Sequence, residues 1–369
     1  MIRRVYTDFL KEKVRQRKLG WLVARGLQYA RIHASYLVKR PLCGPVLGTL
    51  VTNYTCNYGC TMCDLKLRDR ELRSKGLREL DTADMQAVLE GFARLGVSGV
   101  GFTGGEPLLR KDIFELLAHT KALGMITHLN TNGFFVDDAN VGRMLAAGVD
   151  SVNISLDGAC AATHDAIRGV PGAFDRVIEA VGRITAARKR AKSSLRLKTV
   201  AVLQERNINE VEDLVNLAGK LGVDCIEFIP RQPFTSGEGP VSADAAMLAA
   251  VDRVTEYLLR PEPKPVRIEN SERHVRLFHG AFRGLDSPLR CYAGYNSLAV
   301  DSYGEVYPCV PWYNWRCSAG NLGGKDLAAF WYSKGYDSVR SEVRTCRKCT
   351  LNCQAELNIL FDARGLFRG

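Results

Sequence analysis

At 369 residues, with 46% hydrophobic and 25% charged side chains, the chain has the makeup of a globular protein with one large domain and room for a smaller one. No apolar run reaches the roughly 18 residues of a membrane span, and Arg and Lys crowd the N-terminus where a secretory signal would carry an apolar core, which argues against both fates. Twelve cysteines in such a chain, several at C-x2-C spacing, point to metal binding in a reducing, cytoplasmic compartment and away from disulfides.

The net charge of +11 is concentrated at the front, where residues 1–45 hold eleven Lys and Arg against Asp8 and Glu12, a balance of +9. Residues 9–40 read as an amphipathic helix whose apolar stripe is Leu19, Leu22, Val23, Leu27, Ala30, Ala34 and Leu37, with Arg25, Arg31 and Lys39 off the stripe. One reading packs the stripe on the main domain; the other sets the helix against anionic lipid at a membrane surface or against an acidic substrate. Nucleic acid is disfavoured, because basic and aromatic residues are not interleaved in an RNA-binding pattern.

Pro41 and Pro45 close this segment, and a buried strand is predicted over 46–53. Helix and strand patterns then alternate: helices over 83–95, 112–123, 141–147, 173–187 and 210–220, strands over 99–103, 126–130, 151–156, 195–203 and 225–229. That succession implies a parallel sheet with right-handed crossovers, whose chemistry sits at the C-terminal strand ends. Residues 231–290 are broken by prolines and carry a helix over 243–259, a connection and not a separate core. From Cys291 short strands and aromatic residues replace the βα rhythm, and a small C-terminal domain is expected over 291–369.

The first chemical signal follows the first strand. Cys56, Cys60 and Cys63 stand at C-x3-C-x2-C spacing, three thiolates on one tight loop. A structural metal site closes its ligand shell with protein, so an open position points to a bound substrate or cofactor. Gly104-Gly105-Glu106-Pro107 follows the second strand, Asn130-Thr131-Asn132-Gly133 the third and Ser155-Leu156-Asp157-Gly158 the fourth, with Arg168 beyond.

These stretches resemble the radical S-adenosylmethionine (radical SAM) superfamily over residues 46–230. The resemblance implies a partial (β/α)6 TIM-like barrel in which Cys56, Cys60 and Cys63 ligate a [4Fe-4S] cluster and S-adenosylmethionine takes the fourth iron. It further implies cofactor contacts from Met62, at a position usually aromatic, and from Gly104, Gly105, Glu106, Asn132, Ser155, Asp157 and Arg168. For Asn132 and Asp157 a plain turn role competes, and Asn207 reads equally as a helix cap.

Cys291, Cys309, Cys317, Cys346, Cys349 and Cys353 fill the C-terminal segment, with Cys291-x12-Gly304-x4-Cys309 bracketing a hairpin. This resembles the SPASM and twitch domains of radical SAM enzymes and implies one auxiliary iron–sulfur cluster. The ligand set implied is Cys291, Cys309, Cys346 and Cys349, with Cys353 or Cys317 as substitutes; a zinc site is the alternative. Some relatives carry an Asp after the second of these cysteines, where this chain has Val310, and Asp301 and Glu305 are candidate replacements as a base. Cys43, Cys160 and Cys225 read as buried thiols.

The sequence thus predicts a cytoplasmic radical SAM oxidoreductase, α/β in class, with a SPASM/twitch domain and a flavodoxin- or ferredoxin-like reductant. Its substrate is open among a small molecule, a lipid or isoprenoid at the membrane surface, and a peptide delivered by a separate recognition partner. A metal-stapled binding protein and an RNA-modifying enzyme are the readings from other classes.

Overall fold

The computed structural model describes residues 19–231, 243–311 and 317–362. The front half of the predicted basic helix, and the chain ends, lie outside them.

The βα rhythm is realised in order. Strands β1 (Leu47–Val51), β2 (Gly99–Thr103), β3 (Ile126–Thr131), β4 (Ser151–Ser155), β5 (Arg196–Leu203) and β6 (Cys225–Pro230) pair successively in parallel. Helices α1 (Leu19–Val38), α2 (Leu65–Ser74), α3 (Thr82–Arg94), α4 (Ile113–Ala122), α5 (Asp138–Ala146), α6 (Ala161–Arg168), α7 (Ala173–Arg190) and α8 (Val211–Leu221) precede and connect them. Their starts follow local chemistry: Asp81 and Asp84 form a capping box at α3, and the Asp137 side chain caps α5. The main core lies between strands and helices, with Leu50, Phe102, Leu129, Val152 and Leu197 meeting Phe92, Leu116, Met144 and Val181.

The sheet extends beyond six strands at both edges. After α9 (Ala245–Leu259), β7 (Arg267–Ile268) adds to β6, so the proline-broken connection contributes to the main sheet. Short helices α10 (Glu272–Val275) and α11 (Phe278–Phe282) follow. Strand β8 (Ser297–Val300) then pairs in parallel with β1, and β9 (Val306–Tyr307) closes a hairpin on it. The order is β7-β6-β5-β4-β3-β2-β1-β8-β9. The C-terminal segment therefore shares its sheet with the barrel. Helices α12 (Leu327–Trp331), α13 (Lys334–Val343) and α14 (Asn352–Phe361) complete it.

Helix α1 packs on a different face from the one its aliphatic pattern predicts. Gln28, Ile32, Ser35 and Tyr36 are buried, whereas Val23, Leu27 and Leu37 are 62%, 53% and 72% exposed. Polar reach decides the orientation. Gln28 Nε2 donates to the carbonyls of Gly44, Pro45 and Gly96, Arg25 reaches Gly96 and Ser98, and Tyr29 stacks on Phe361. Among the described residues no helix is long and apolar enough to cross a membrane.

Candidate active site

The cysteine loop leaves the C-terminal end of β1 and runs into α2, a helix the sequence reading did not anticipate. Cys56 and Cys60 are half-buried and Cys63 is exposed. Donors converge on the sulfurs: Tyr58 N lies 3.4 Å and Asn132 Nδ2 3.9 Å from Cys56 Sγ, and Arg168 Nη1 lies 3.7 Å from Cys60 Sγ. Burial raises the Cys56 thiol pKa, so in the absence of a metal it holds its proton. N–H groups aimed at sulfur are what a thiolate ligand requires.

Gly104 and Gly105 serve chain-to-chain approach. Gly105 N donates to Asn53 O at 2.9 Å and Glu106 N to Thr55 O at 2.8 Å, clamping the turn onto the root of the cysteine loop. A Cβ at Gly104 would lie 2.3 Å from Asn53 O, and one at Gly105 would lie 2.1 Å from Thr55 O. Gly105→Ala is accordingly expected to cost about 2–3 kcal/mol or more in thermal unfolding and to slow cluster reconstitution; an unchanged melting temperature would contradict the clamp. Glu106 is fully buried. Its Oε1 accepts from Leu108 N and the Thr131 hydroxyl and its Oε2 from Asn132 N, tying the ends of β2 and β3 together. Burial pushes its pKa up to about 7 against those hydrogen bonds. Its carboxylate is thus engaged by the protein, a scaffolding role not assigned from sequence.

Asn132 closes its own turn, with Oδ1 accepting from Phe134 N, and its Nδ2 reaches Asn57 Oδ1 at 2.8 Å. Its side chain shapes the turn, one of the two roles read from the sequence, and also reaches the cysteine loop. Asp157 is fully buried, paired with Arg168 at 2.5 Å and accepting from Val202 N at 2.7 Å. Arg168 therefore bridges the end of β4 to the cysteine loop. Asn207 caps no helix with its side chain; it bonds Asp157 O, Val202 O and Gln204 N. Ser155 is the last residue of β4, and Met62 is half-buried on the loop. Sequence reasoning missed Gly169, which ends α6 at φ +68° and packs where a Cβ would lie 2.5 Å from Gly59 O.

The C-terminal cysteines gather beside this loop. Cys291, Cys309 and Cys346 pack with Val51, Tyr54, Leu72 and Tyr307, and the Cys291 and Cys346 thiols are in hydrogen-bonding contact. Cys349 neighbours Cys353 and Cys346, and Cys317 is exposed near Cys346. Cys160, expected to be buried, is exposed at the start of α6 with Sγ 3.6 Å from the Thr163 hydroxyl; Cys225 is buried and Cys43 half-buried. Asp301 is a junction: its carboxylate accepts from the Tyr54 and Tyr307 hydroxyls and from Tyr303 N and Glu305 N, while Arg68 donates to Tyr307. Those bonds leave it a tie between cysteine loop and hairpin. The Glu305 carboxylate accepts from Asn321 Nδ2.

Burial pushes Asp301 up to about 6. A folded carboxyl held above its unfolded value near 4 contributes most at low pH and loses that contribution as pH rises through about 6. Between pH 5 and 7.5 the wild type should therefore lose about 1–2 kcal/mol relative to Asp301→Asn in anaerobic urea unfolding. Parallel pH profiles would refute this.

A cavity of about 210 Å³ lies along the inner faces of the strands, from Leu47, Gly99, Ile126 and Ser151 at their starts to Thr103 and Asn130 near their ends. Alternate residues of β1 to β6 line it, and Val310, Leu351, Asn352 and Cys353 close it. Thr103 and Asn130, next to the Gly104 turn and two residues before Asn132, form its upper wall. Cys353 thus faces a cavity where sequence offered it as a substitute ligand.

A family model described as the radical SAM superfamily matches residues 50–218, and one described as an iron-sulfur cluster-binding domain, SPASM, matches residues 291–353. The mycofactocin maturase MftC of Mycobacterium ulcerans is 30% identical over 291 residues, covering 76% of this chain and 73% of that protein. The chain belongs to the radical SAM superfamily. Other relatives include an AdoMet-dependent heme synthase of Nitratidesulfovibrio vulgaris, 29% identical over 313 residues (80% of this chain, 81% of that one). The PqqA peptide cyclase of Gluconobacter oxydans is 29% identical over 258 residues (69% and 67%). The solved structure of Streptococcus suis SuiB matches with a TM-score of 0.64 at 20% identity, over 91% of this chain and 80% of that chain, which shows the shared TIM-like fold.

As a radical SAM enzyme with a SPASM domain, the protein uses a [4Fe-4S] cluster, S-adenosylmethionine and auxiliary iron–sulfur chemistry. The residues present fit these groups. A cubane gives each thiolate its own iron and suits cysteines spread along a loop, with N–H donors on the sulfurs. When bound, the reduced cluster and S-adenosylmethionine together supply a radical that abstracts hydrogen from substrate.

Proposed function

We propose that Cys56, Cys60 and Cys63 hold the radical SAM cluster and that the chain oxidises a peptide substrate, with Cys291, Cys309, Cys346 and Cys349 holding one auxiliary cluster. In this reading residues 46–230 form the radical SAM core, 231–290 the connection and 291–369 the auxiliary domain, with 1–45 a basic attachment. The observation that carries the reading is the cavity on the inner faces of the strands, closed by Val310, Leu351, Asn352 and Cys353 of the C-terminal segment. The relative named a peptide cyclase supports the same substrate class. Gly104 and Gly105 hold the turn against the loop, Asn132 and Arg168 set the sulfurs, and Ser155 at the end of β4 is left to the cofactor.

The balance is simple. Substrate loses two hydrogens; S-adenosylmethionine becomes methionine and 5′-deoxyadenosine, the latter carrying one of them, and the other leaves as a proton. The electron spent in cleavage is regained, so a flavodoxin- or ferredoxin-like reductant is needed only for priming.

The test is anaerobic incubation of the reconstituted protein with S-adenosylmethionine, reductant and peptides encoded beside its gene. A peptide lighter by two hydrogens, formed one for one with 5′-deoxyadenosine, is expected. Turnover of a tetrapyrrole with no change in any peptide would overturn the substrate assignment. A second observation favours contact with a lipid surface: Val23, Leu27 and Leu37 lie exposed on α1, with Arg31 exposed on the same helix. Flotation with anionic vesicles is expected for the wild type and lost in Val23→Ser/Leu27→Ser/Leu37→Ser; equal recovery of the two would remove this reading.

A further inference from the structure

Helix α2 has one face tied to the molecule and one left bare. Arg68 and Leu72 are buried, and Arg68 Nη2 donates to the Tyr307 hydroxyl at 2.7 Å. Asp69 accepts from the Tyr303 hydroxyl at 2.8 Å, and Leu72 packs in the cluster that holds Cys291 and Cys309. The charges beside that face are paired within the helix and its end: Glu71 takes Arg68 and Lys75, and Asp69 takes Arg73. On the other side Lys66, Leu67 and Arg70 are exposed, Leu67 to 44%. Arg70 neighbours Leu67 at a spacing of three residues and Lys66 at four, so the three share one patch of helix surface. Among the described residues Lys66 and Arg70 have no carboxylate partner.

That patch stands beside the cysteine loop. Only Asp64 separates Cys63 from the start of α2, and Thr61 and Cys63 are exposed on the loop. The residues that line the cavity come from the strands and the C-terminal segment and not from α2, so the patch is no part of that pocket. The basic helix α1 is at the other end of the sheet: its Arg25 and Gln28 bond Gly96 and Ser98 just before β2, whereas the loop leaves the far end of β1. Electron transfer weakens steeply with distance, so whatever reduces a cluster on this loop must dock near it. An exposed apolar residue beside two unpaired cations has the makeup of a small, transient interface with an acidic surface, apolar at its centre and steered by charge.

We propose that Lys66, Leu67 and Arg70 form the docking surface for an acidic one-electron carrier, a flavin or iron–sulfur protein that delivers the priming electron beside Cys63. The carrier gives up one electron, an anionic flavin hydroquinone becoming its neutral semiquinone, and the oxidised cluster gains it. This rests on the function proposed above in taking Cys56, Cys60 and Cys63 as the ligands of that cluster.

The test uses the anaerobically reconstituted chain with a purified acidic flavodoxin as the probe. A carbodiimide joins lysine amines to carboxylates in direct contact, and mass spectrometry should place Lys66 in the crosslink. Calorimetric titration gives the affinity independently of turnover. At ~0.1 M ionic strength, where screening leaves a reach of about 10 Å, Lys66→Glu/Arg70→Glu should bind at least about tenfold more weakly than the wild type. Lys189→Glu/Arg190→Glu makes the same charge change in the last turn of α7, ahead of β5 and so at the opposite end of the sheet, and should bind as the wild type does. Equal affinities in all three, equal weakening in both variants, or crosslinks confined to the lysines of residues 1–45 would overturn the proposal. Loss of a substrate peptide in the α2 variant with flavodoxin still bound would overturn it too. Should that variant fail to fold, the wild-type crosslink still decides. Cleavage of S-adenosylmethionine is driven in parallel by photoreduced 5-deazariboflavin, an uncharged reductant that needs no docking. Cleavage with no flavodoxin at Lys66 sinks the docking surface alone, and flavodoxin at Lys66 without cleavage sinks the enzymatic reading alone.

Discussion

Changing Cys56, Cys60 and Cys63 together to Ala is expected to remove about four irons per reconstituted chain and to reduce dithionite-dependent 5′-deoxyadenosine to background. The fold should survive, because the loop lies outside the strands and Tyr54, at its root, is anchored to Asp301. The matching control is Cys291→Ala/Cys309→Ala/Cys346→Ala. It should lose its own irons and keep uncoupled cleavage of S-adenosylmethionine, since Cys56, Cys60 and Cys63 are left intact. Iron counting with product analysis separates the cases. Full iron content in the first variant, or product formation without it, would show that the loop does not hold the cluster.

Arg168→Met should be almost as damaging for a different reason. Arg168 is 8% exposed and is the ion-pair partner of the fully buried Asp157. Removing one member of a buried pair typically costs about 3–5 kcal/mol, because the other charge is stranded. Asp157→Asn/Arg168→Met should recover much of that stability, since neither residue is then charged. It should not recover cofactor function, because the guanidinium 3.7 Å from Cys60 Sγ is still missing. Chemical unfolding reports the first effect, and electron paramagnetic resonance of the reduced cluster the second. A double variant with a wild-type cluster spectrum would reduce Arg168 to a purely structural role.

Much of the barrel was legible in the sequence, because its strands are short apolar runs and its helices keep a helical period. The predicted strand over 99–103 matches Gly99–Thr103 residue for residue. The motif residues at the strand ends were legible as well, since spacing alone places Cys56, Gly105, Asn132 and Asp157 at one end of a parallel sheet. What escaped was set by long-range contact. Nothing local in Ser297–Val300 says that it pairs with β1. The packed face of α1 was misread because Gln28 and Tyr36 bury surface that an aliphatic count gives to Leu27 and Leu37. The three donors around Glu106, from Leu108, Thr131 and Asn132, could not be read from its motif either.

The pairing of β8 with β1 has a consequence for how the molecule is made. Strand β1 leaves the ribosome early and carries the cysteine loop, yet its outer edge stays unsatisfied until Ser297–Val300 has been synthesised. For most of translation Leu47–Leu50 is an exposed template for any other strand. A chain cut short near residue 290 would keep every motif of the front half and still display that edge. It should cluster with copies of itself, because the edge that Ser297–Val300 covers in the full chain is then left open.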